Sequence, residues 1–364
     1  MTTTTKADKA LAKALKQAKV PRPGKPRRSG TAPGEKAGLS QGQIVRKRFL
    51  GNTAAIISLV LLVLILVLAY SAGGSFGIPG WWKYTHNQVN DLVNGGAPTL
   101  RLFPFSLGEH PFGQDRLGRD TFAQTMRGIQ ISTAVMFIIG IVSGFIGVVV
   151  GAAAGYFRGW VETVLMRLTD IVIIIPLIIL AAVLGKVAGQ SVAAGVQPYI
   201  LGLFVGAAVW TGLARLVRAE FLSLREREFV DAARIAGASS ARIIFKHILP
   251  NAVGVIIVSV TLSMSSAILL ETSLSYIGMG VKAPDVSLGL LISQNQEAFS
   301  TRPWLFWWPG VFIVAICLCV NFIGDGLRDA FDPRQKKFNA KRAKDAPVQT
   351  PVQMPSGPGQ LTDA

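Results

Sequence analysis

The chain has 364 residues, half of them hydrophobic, with only 16% charged and a mean hydropathy of +0.44. Soluble domains run nearer a quarter charged, so this composition points to a membrane protein. The 37 Lys and Arg against 20 Asp and Glu give a net charge of +17, which a nucleic-acid binder would share without sharing the apolar half. Cys317 and Cys319 stand two apart in an apolar run, which offers neither a disulfide framework nor a Cys-rich metal site.

Residues 1–45 are rich in Lys, Ala and Pro. A basic helix can form transiently over 6–19, but Pro21, Pro23, Pro26 and Pro33 predict a disordered tail. Crossing a bilayer takes about 20 apolar residues, and six stretches qualify, at about 53–72, 130–156, 164–185, 198–217, 250–271 and 304–325. The tail before the first stretch is too long for the basic start of a cleaved leader, so that stretch reads as an anchor. In the second, Gly147, Gly151 and Gly155 recur every four residues, with Gly140 and Gly144 one register away. That spacing stacks glycines on one face and lets another backbone approach closely, that of the chain's own bundle in preference to another subunit. The third opens with Arg167 and Asp170, spaced to pair along a helix, and Pro176 predicts a kink within it. Glu271 closes the fifth and is a candidate to line the pathway or outer gate, or to reach the headgroups. Residues 336–364 form a second polar tail.

The positions of the basic residues give an orientation. Segments 1–53, 157–167, 215–250 and 327–364 hold 29 of the 37, and in a six-span chain these all fall on one side. That side is the cytoplasm, with both termini inside. The charge therefore reports topology and a tail beside the anionic inner leaflet, not nucleic-acid binding.

The loop over 218–250 is the most informative segment. Val217, Phe221 and Leu224 make one helical face apolar, and Arg225, Glu226, Arg227 and Glu228 follow as a charged band. Gly237 is a helix stop, Ser239 or Ser240 can cap a new helix, and Pro250 ends or kinks it on entering the membrane. The expected product is a helix–turn–helix elbow whose tip carries small residues, open to a partner surface.

Asp231-Ala232-Ala233, then Gly237, then Leu249-Pro250 resembles the EAA loop of bacterial ABC-importer permeases, with Asp231 in the usual Glu position. The stretch from His110 through Asp115 and Arg119 to Asp120 resembles the outer segment of the C-type permeases of dipeptide and oligopeptide importers. The stretches from Leu270 to Gly280 and from Gly324 to Arg334 do so too. The resemblance covers about 45–335. It implies an all-α membrane protein of the type I importer kind, with coupling to ATPases through Asp231, Ala232, Ala233, Gly237, Leu249 and Pro250. The segment carrying His110, Asp115, Arg119 and Asp120 would meet the binding protein or lie as an interfacial helix on the membrane.

The resemblance further implies a second related permease, one or two ATP-binding subunits, an extracytoplasmic binding protein and surrounding lipid as partners, in a bacterial cytoplasmic membrane. ATP and Mg would be held by the partner subunits, since this chain carries no G-x-x-x-x-G-K-[ST] loop. Relatives with this pattern carry dipeptides, longer peptides, glutathione or nickel. An ion-coupled carrier would want a ladder of embedded carboxylates or histidines, which the spans do not show. For an enzyme, His86, His110 and His247 stand on separate loops with no catalytic motif around them.

Overall fold

The structure, a computed structural model, describes residues 41–74, 77–101, 103–191 and 195–332. Of the tail expected over 1–45, residues 1–40 lie outside this range and 41–45 are helical instead. The tail expected over 336–364 lies wholly outside. Among the described residues the fold is all-α, and extended backbone pairs only as isolated bridges, such as Val89 with Arg119 and Gln114 with Asp120.

A basic helix, α1 (Gln41–Leu50), leads into α2 (Thr53–Gly73), with Asn52 capping α2 by accepting from Ala55 N at 3.2 Å. Next come α3 (Thr121–Phe157), α4 (Gly159–Ile174), α5 (Leu177–Ser191), α6 (Gln197–Gly206) and α7 (Thr211–Arg225). After α8 (Glu228–Ile235), the helical run Ser240–Tyr276 is α9. The short α10 (Leu288–Asn295) and α11 (Trp304–Phe331) complete the described chain. Four of these (α2, α3, α9 and α11) are each long and apolar enough to cross a membrane. Six spans result when each of two bent pairs, α4 with α5 and α6 with α7, counts as one.

The departures from the expected spans have local causes. The second helix starts at Thr121, not near 130, because Asp120 caps it, accepting from Ala123 N at 2.8 Å. The polar residues of its first turns are not loop. Gln130 donates to Ala69 O at 2.8 Å, and Arg127 pairs with Asp285 at 2.7 Å. The third span is not one helix, since α4 and α5 meet at 86°. Pro176 forces Ile175 into extended backbone (φ −75°, ψ 122°). The fourth is likewise two helices at 42°, broken over 207–210.

The helix capped by Ser239, expected to end or kink at Pro250, does not end there but runs on through Tyr276. It widens to π turns over Ile243–Ile248, where Leu249 N–H reaches back to Ile244 O. Pro250 then starts the regular turns of α9, at a helix-start position where its missing N–H costs little.

The glycines of α3 divide between two neighbours. Gly147, Gly151 and Gly155 face Leu213, Val217 and Phe221 of α7, while Gly140 and Gly144 face Met264 and Val260 of α9. Both registers serve packing inside the chain's own bundle.

Candidate functional site

The elbow is built from the sequence signals at its turn. α8 ends in a left-handed Gly237 (φ +78°), with Gly237 N donating to Arg234 O and Ala238 N to Ala233 O, both at 3.0 Å. That pattern satisfies the last carbonyls of the helix and suits glycine. Ser239 then caps the start of α9, accepting from Arg242 N at 3.4 Å. Val230 is fully buried in an apolar cluster with Phe221, Ile243 and Ile248, which locks α8 to α7 and α9.

The six elbow residues singled out by the sequence are brought to this one feature. Ala233 and Leu249 pack against the cluster, whereas Asp231, Ala232, Gly237 and Pro250 are exposed. Asp231 pairs with Arg234 at 2.8 Å on the surface. Sequence reasoning missed the apolar residues presented beside them. Ile235 is 89% exposed and Phe245 68%, so this end of the bundle shows hydrophobic side chains that a monomer does not cover. The signal for them is Ile235 standing just ahead of the helix stop at Gly237.

Ion pairs connect α4 to α7 and the elbow. Arg158 pairs with Glu226 at 2.7 Å, Glu162 with Arg218, and Asp170 with Arg215 at 2.6 Å. Arg225 donates to Tyr156 O and lies over the Tyr156 ring. The pair expected within α4 is thereby corrected, because Asp170 joins Arg215 of the neighbouring helix and not Arg167.

At the other end of the bundle, residues 77–120 cover the start of α3. Residues 110–120 hold turns and bridges and no helix, so the interfacial helix expected there is not formed. Asp120 organises the segment. Besides capping α3, it meets His110 Nδ1 at 2.7 Å and accepts from Trp82 Nε1 at 2.9 Å. Tyr84 stacks on the His110 ring at 4.6 Å. Asp115 accepts from Leu117 N and Arg119 N at 2.9 Å and from Arg119 Nε at 2.6 Å. His110, Asp115 and Asp120 are buried, and of the four outer residues Arg119 alone keeps an appreciable surface, with a quarter of its side chain exposed.

His86, on the same segment, is held below the ordinary histidine range by burial and then by the Arg127 charge. The Lys83 ammonium is raised by hydrogen bonding to Tyr84 and more weakly by Glu109.

Glu271 neither reaches headgroups nor opens on a cavity. It is fully buried, accepting from Ser132 Oγ at 2.9 Å and Ser275 Oγ at 2.7 Å. Ser287 Oγ donates to Ser275 Oγ at 3.2 Å, and Leu288 N donates to Ser132 Oγ at 3.2 Å. The carboxylate thus ties α3, α9 and the start of α10 together through serine hydroxyls, without a cationic partner among the described residues. Sequence reasoning missed Ser132, Ser275 and Ser287, since single serines in apolar runs carry no pattern.

Among the described residues no cluster of three or more His, Cys, Asp or Glu is placed to hold a metal ion.

Comparison with known proteins places these features in context. A family profile described as binding-protein-dependent transport system inner membrane component matches residues 147–337. A second, described as the N-terminal TM domain of oligopeptide transport permease C, matches residues 40–97. The oligopeptide transport system permease protein OppC of Mycobacterium bovis is 37% identical over 82% of this chain and 97% of its own length. The protein of the same name from Haemophilus influenzae is 35% identical over 82% of this chain and 90% of its own length. Among solved structures, an inward-facing MetNI methionine ABC transporter chain matches with TM-score 0.47 and 22% identity, over 57% of this chain and 96% of that one.

Proposed function

The chain belongs to the family of binding-protein-dependent transport system inner membrane components, and on that premise we propose that it is the permease subunit through which an ATP-driven importer moves peptides. It is a multi-pass membrane protein whose relatives are transport permeases and not enzymes. The peptide class follows the oligopeptide permeases that it matches over nearly their whole length; nickel or glutathione moved by the same machinery is the competing cargo.

The elbow is the observation that carries the mechanism. Its exposed Asp231, Ala232 and Gly237, with Ile235 and Phe245 beside them, offer a small-residue tip with apolar flanks for an ATPase groove. Closure of two ATPase subunits, holding ATP and Mg, would draw this elbow and that of a second permease together. The bundles would then switch between outward- and inward-facing states as rigid bodies. Ala233 and Leu249, packed against the cluster, would carry that displacement into α7 and α9. The elbow would lie in the cytoplasm, with both termini, and the 77–120 segment would face the substrate-binding protein.

The test is copurification of the partner ATPase with tagged permease. Gly237→Trp, which adds bulk at a left-handed turn, should abolish it, while the substitution Trp81→Ala at the opposite end should leave it intact. Retention of the ATPase by Gly237→Trp would remove the elbow from its role.

A further inference from the structure

Asp170 and Arg215 hold one another at 2.6 Å with 43% and 49% of their side chains exposed, a large exposure for charges on membrane-spanning elements. Their depth follows from the packing of α7 along α3. Leu213 lies on Gly147 and Val217 on Gly151, so Arg215 stands level with residues near 149. At 1.5 Å per residue that is about 12 Å inward of Phe157. Both residues fall inside the stretches expected to cross the membrane, 164–185 and 198–217, toward the ends read as cytoplasmic. Charges so placed face a bundle interior or a water-filled cavity, because acyl chains solvate them poorly.

The surroundings agree. The α4–α5 break at Ile175 and Pro176 lies just beyond Asp170, and the break over 207–210 lies just before Arg215. Broken helix ends leave main-chain amides and carbonyls unpaired, and at membrane depth such backbone is tolerated where it lines protein or water. Gly212, one turn from Arg215, faces open space, since an added Cβ there would meet nothing within 4 Å.

We propose that Asp170 and Arg215 form a charged station on the solute pathway, taking the terminal ammonium and carboxylate of a passing peptide. The Asp170 carboxylate accepts from the ammonium, and the Arg215 guanidinium receives the carboxylate through its planar fork. Between peptides the two side chains neutralise each other, so neither is left as an uncompensated charge. The ligand class rests on the peptide-importer reading; the placement on the pathway does not.

Two measurements on the complete importer in phosphatidylethanolamine–phosphatidylglycerol vesicles test this. In a Cys317→Ser, Cys319→Ala background, Asp170→Cys and Gly212→Cys are exposed to a charged methanethiosulfonate and to a membrane-soluble maleimide. We expect both sites to react with the charged reagent, and reaction with the maleimide alone overturns the placement. Transport of a free tripeptide is then compared with that of its N-acetylated and C-amidated forms. Asp170→Asn should slow the free and amidated peptides by on the order of tenfold while leaving the acetylated one unchanged. Arg215→Gln should slow the free and acetylated peptides and spare the amidated one. Because each comparison is between permease variants, selectivity of the binding protein cancels. Equal slowing of all three peptides by both variants marks a structural pair and overturns the station. If the wild type moves no peptide, the ligand class falls with the reading beneath it, and the labelling still decides where the pair faces.

Discussion

Gly151 of α3 sits so close to Val217 of α7 that a Cβ added to it would come within 2.7 Å of the Val217 Cβ and 2.5 Å of the Ala214 carbonyl. The contact sets the distance between α3 and α7, the helix that leads into the elbow. Gly151→Ala should therefore destabilise the permease by about 1–3 kcal/mol, as overpacking does. Gly310→Ala, in open space on α11, should be neutral or slightly stabilising, since glycine is the poorer helix former. Thermal unfolding of the purified complex compares the two.

Removing the Glu271 carboxylate should loosen the end of the bundle that carries α10. Glu271→Ala leaves the Ser132 and Ser275 hydroxyls without their acceptor, at about 1–3 kcal/mol each. Glu271→Gln keeps the size and one acceptor oxygen, and should be milder. Hydrogen exchange over residues 281–295 reads the effect, and it should rise in the order wild type, Gln, Ala.

Acid should weaken the segment over 77–120. The folded-state pKa of His86 is lowered by burial and by Arg127 and Arg119, against a smaller opposing pull from Asp285. A lowered histidine favours the neutral form in the folded state. Its contribution is thus present above the unfolded value of about 6.5 and is lost as pH falls below it. The melting temperature should decline from pH 7.5 to 5, and His86→Gln should flatten that part of the decline. Identical slopes in the two proteins would remove His86 from the account.

Asp120 ties Trp82, His110 and the first turn of α3 together. Asp120→Ala removes the α3 cap, worth about 0.5–2 kcal/mol, and strands Trp82 Nε1 and His110 Nδ1. Limited proteolysis between Gly77 and Asp120 should accelerate in this variant, and Asp120→Asn, which can still accept at the cap, should be cleaved at an intermediate rate.

These relationships were unequally legible in the amino-acid order. The apolar stretches and the helix stop and restart at Gly237 and Ser239 could be read because these signals act locally, and the glycine ladder of α3 because its spacing is periodic. The start of α3 could not, since Gln124, Arg127 and Gln130 look like loop residues until Asp115, Asp285 and the Ala69 carbonyl are brought to them. Asp170 had a plausible partner three residues away and took Arg215 from another helix. Glu271 looked like a span terminus because the serines that solvate it lie up to 139 residues away in sequence. Pro176 announced a break but not its size, which depends on how α5 packs after the turn.

The central claim is that this permease couples peptide arrival to ATP hydrolysis on partner subunits. Its most direct test is the ATPase rate of the reconstituted importer, titrated with binding protein that is empty, peptide-loaded, or loaded with a nickel complex or glutathione. We expect the peptide-loaded form to raise the rate in a saturable manner, and Gly237→Trp to eliminate the rise. Stimulation by the nickel complex or glutathione alone, with none by peptide, would contradict the account.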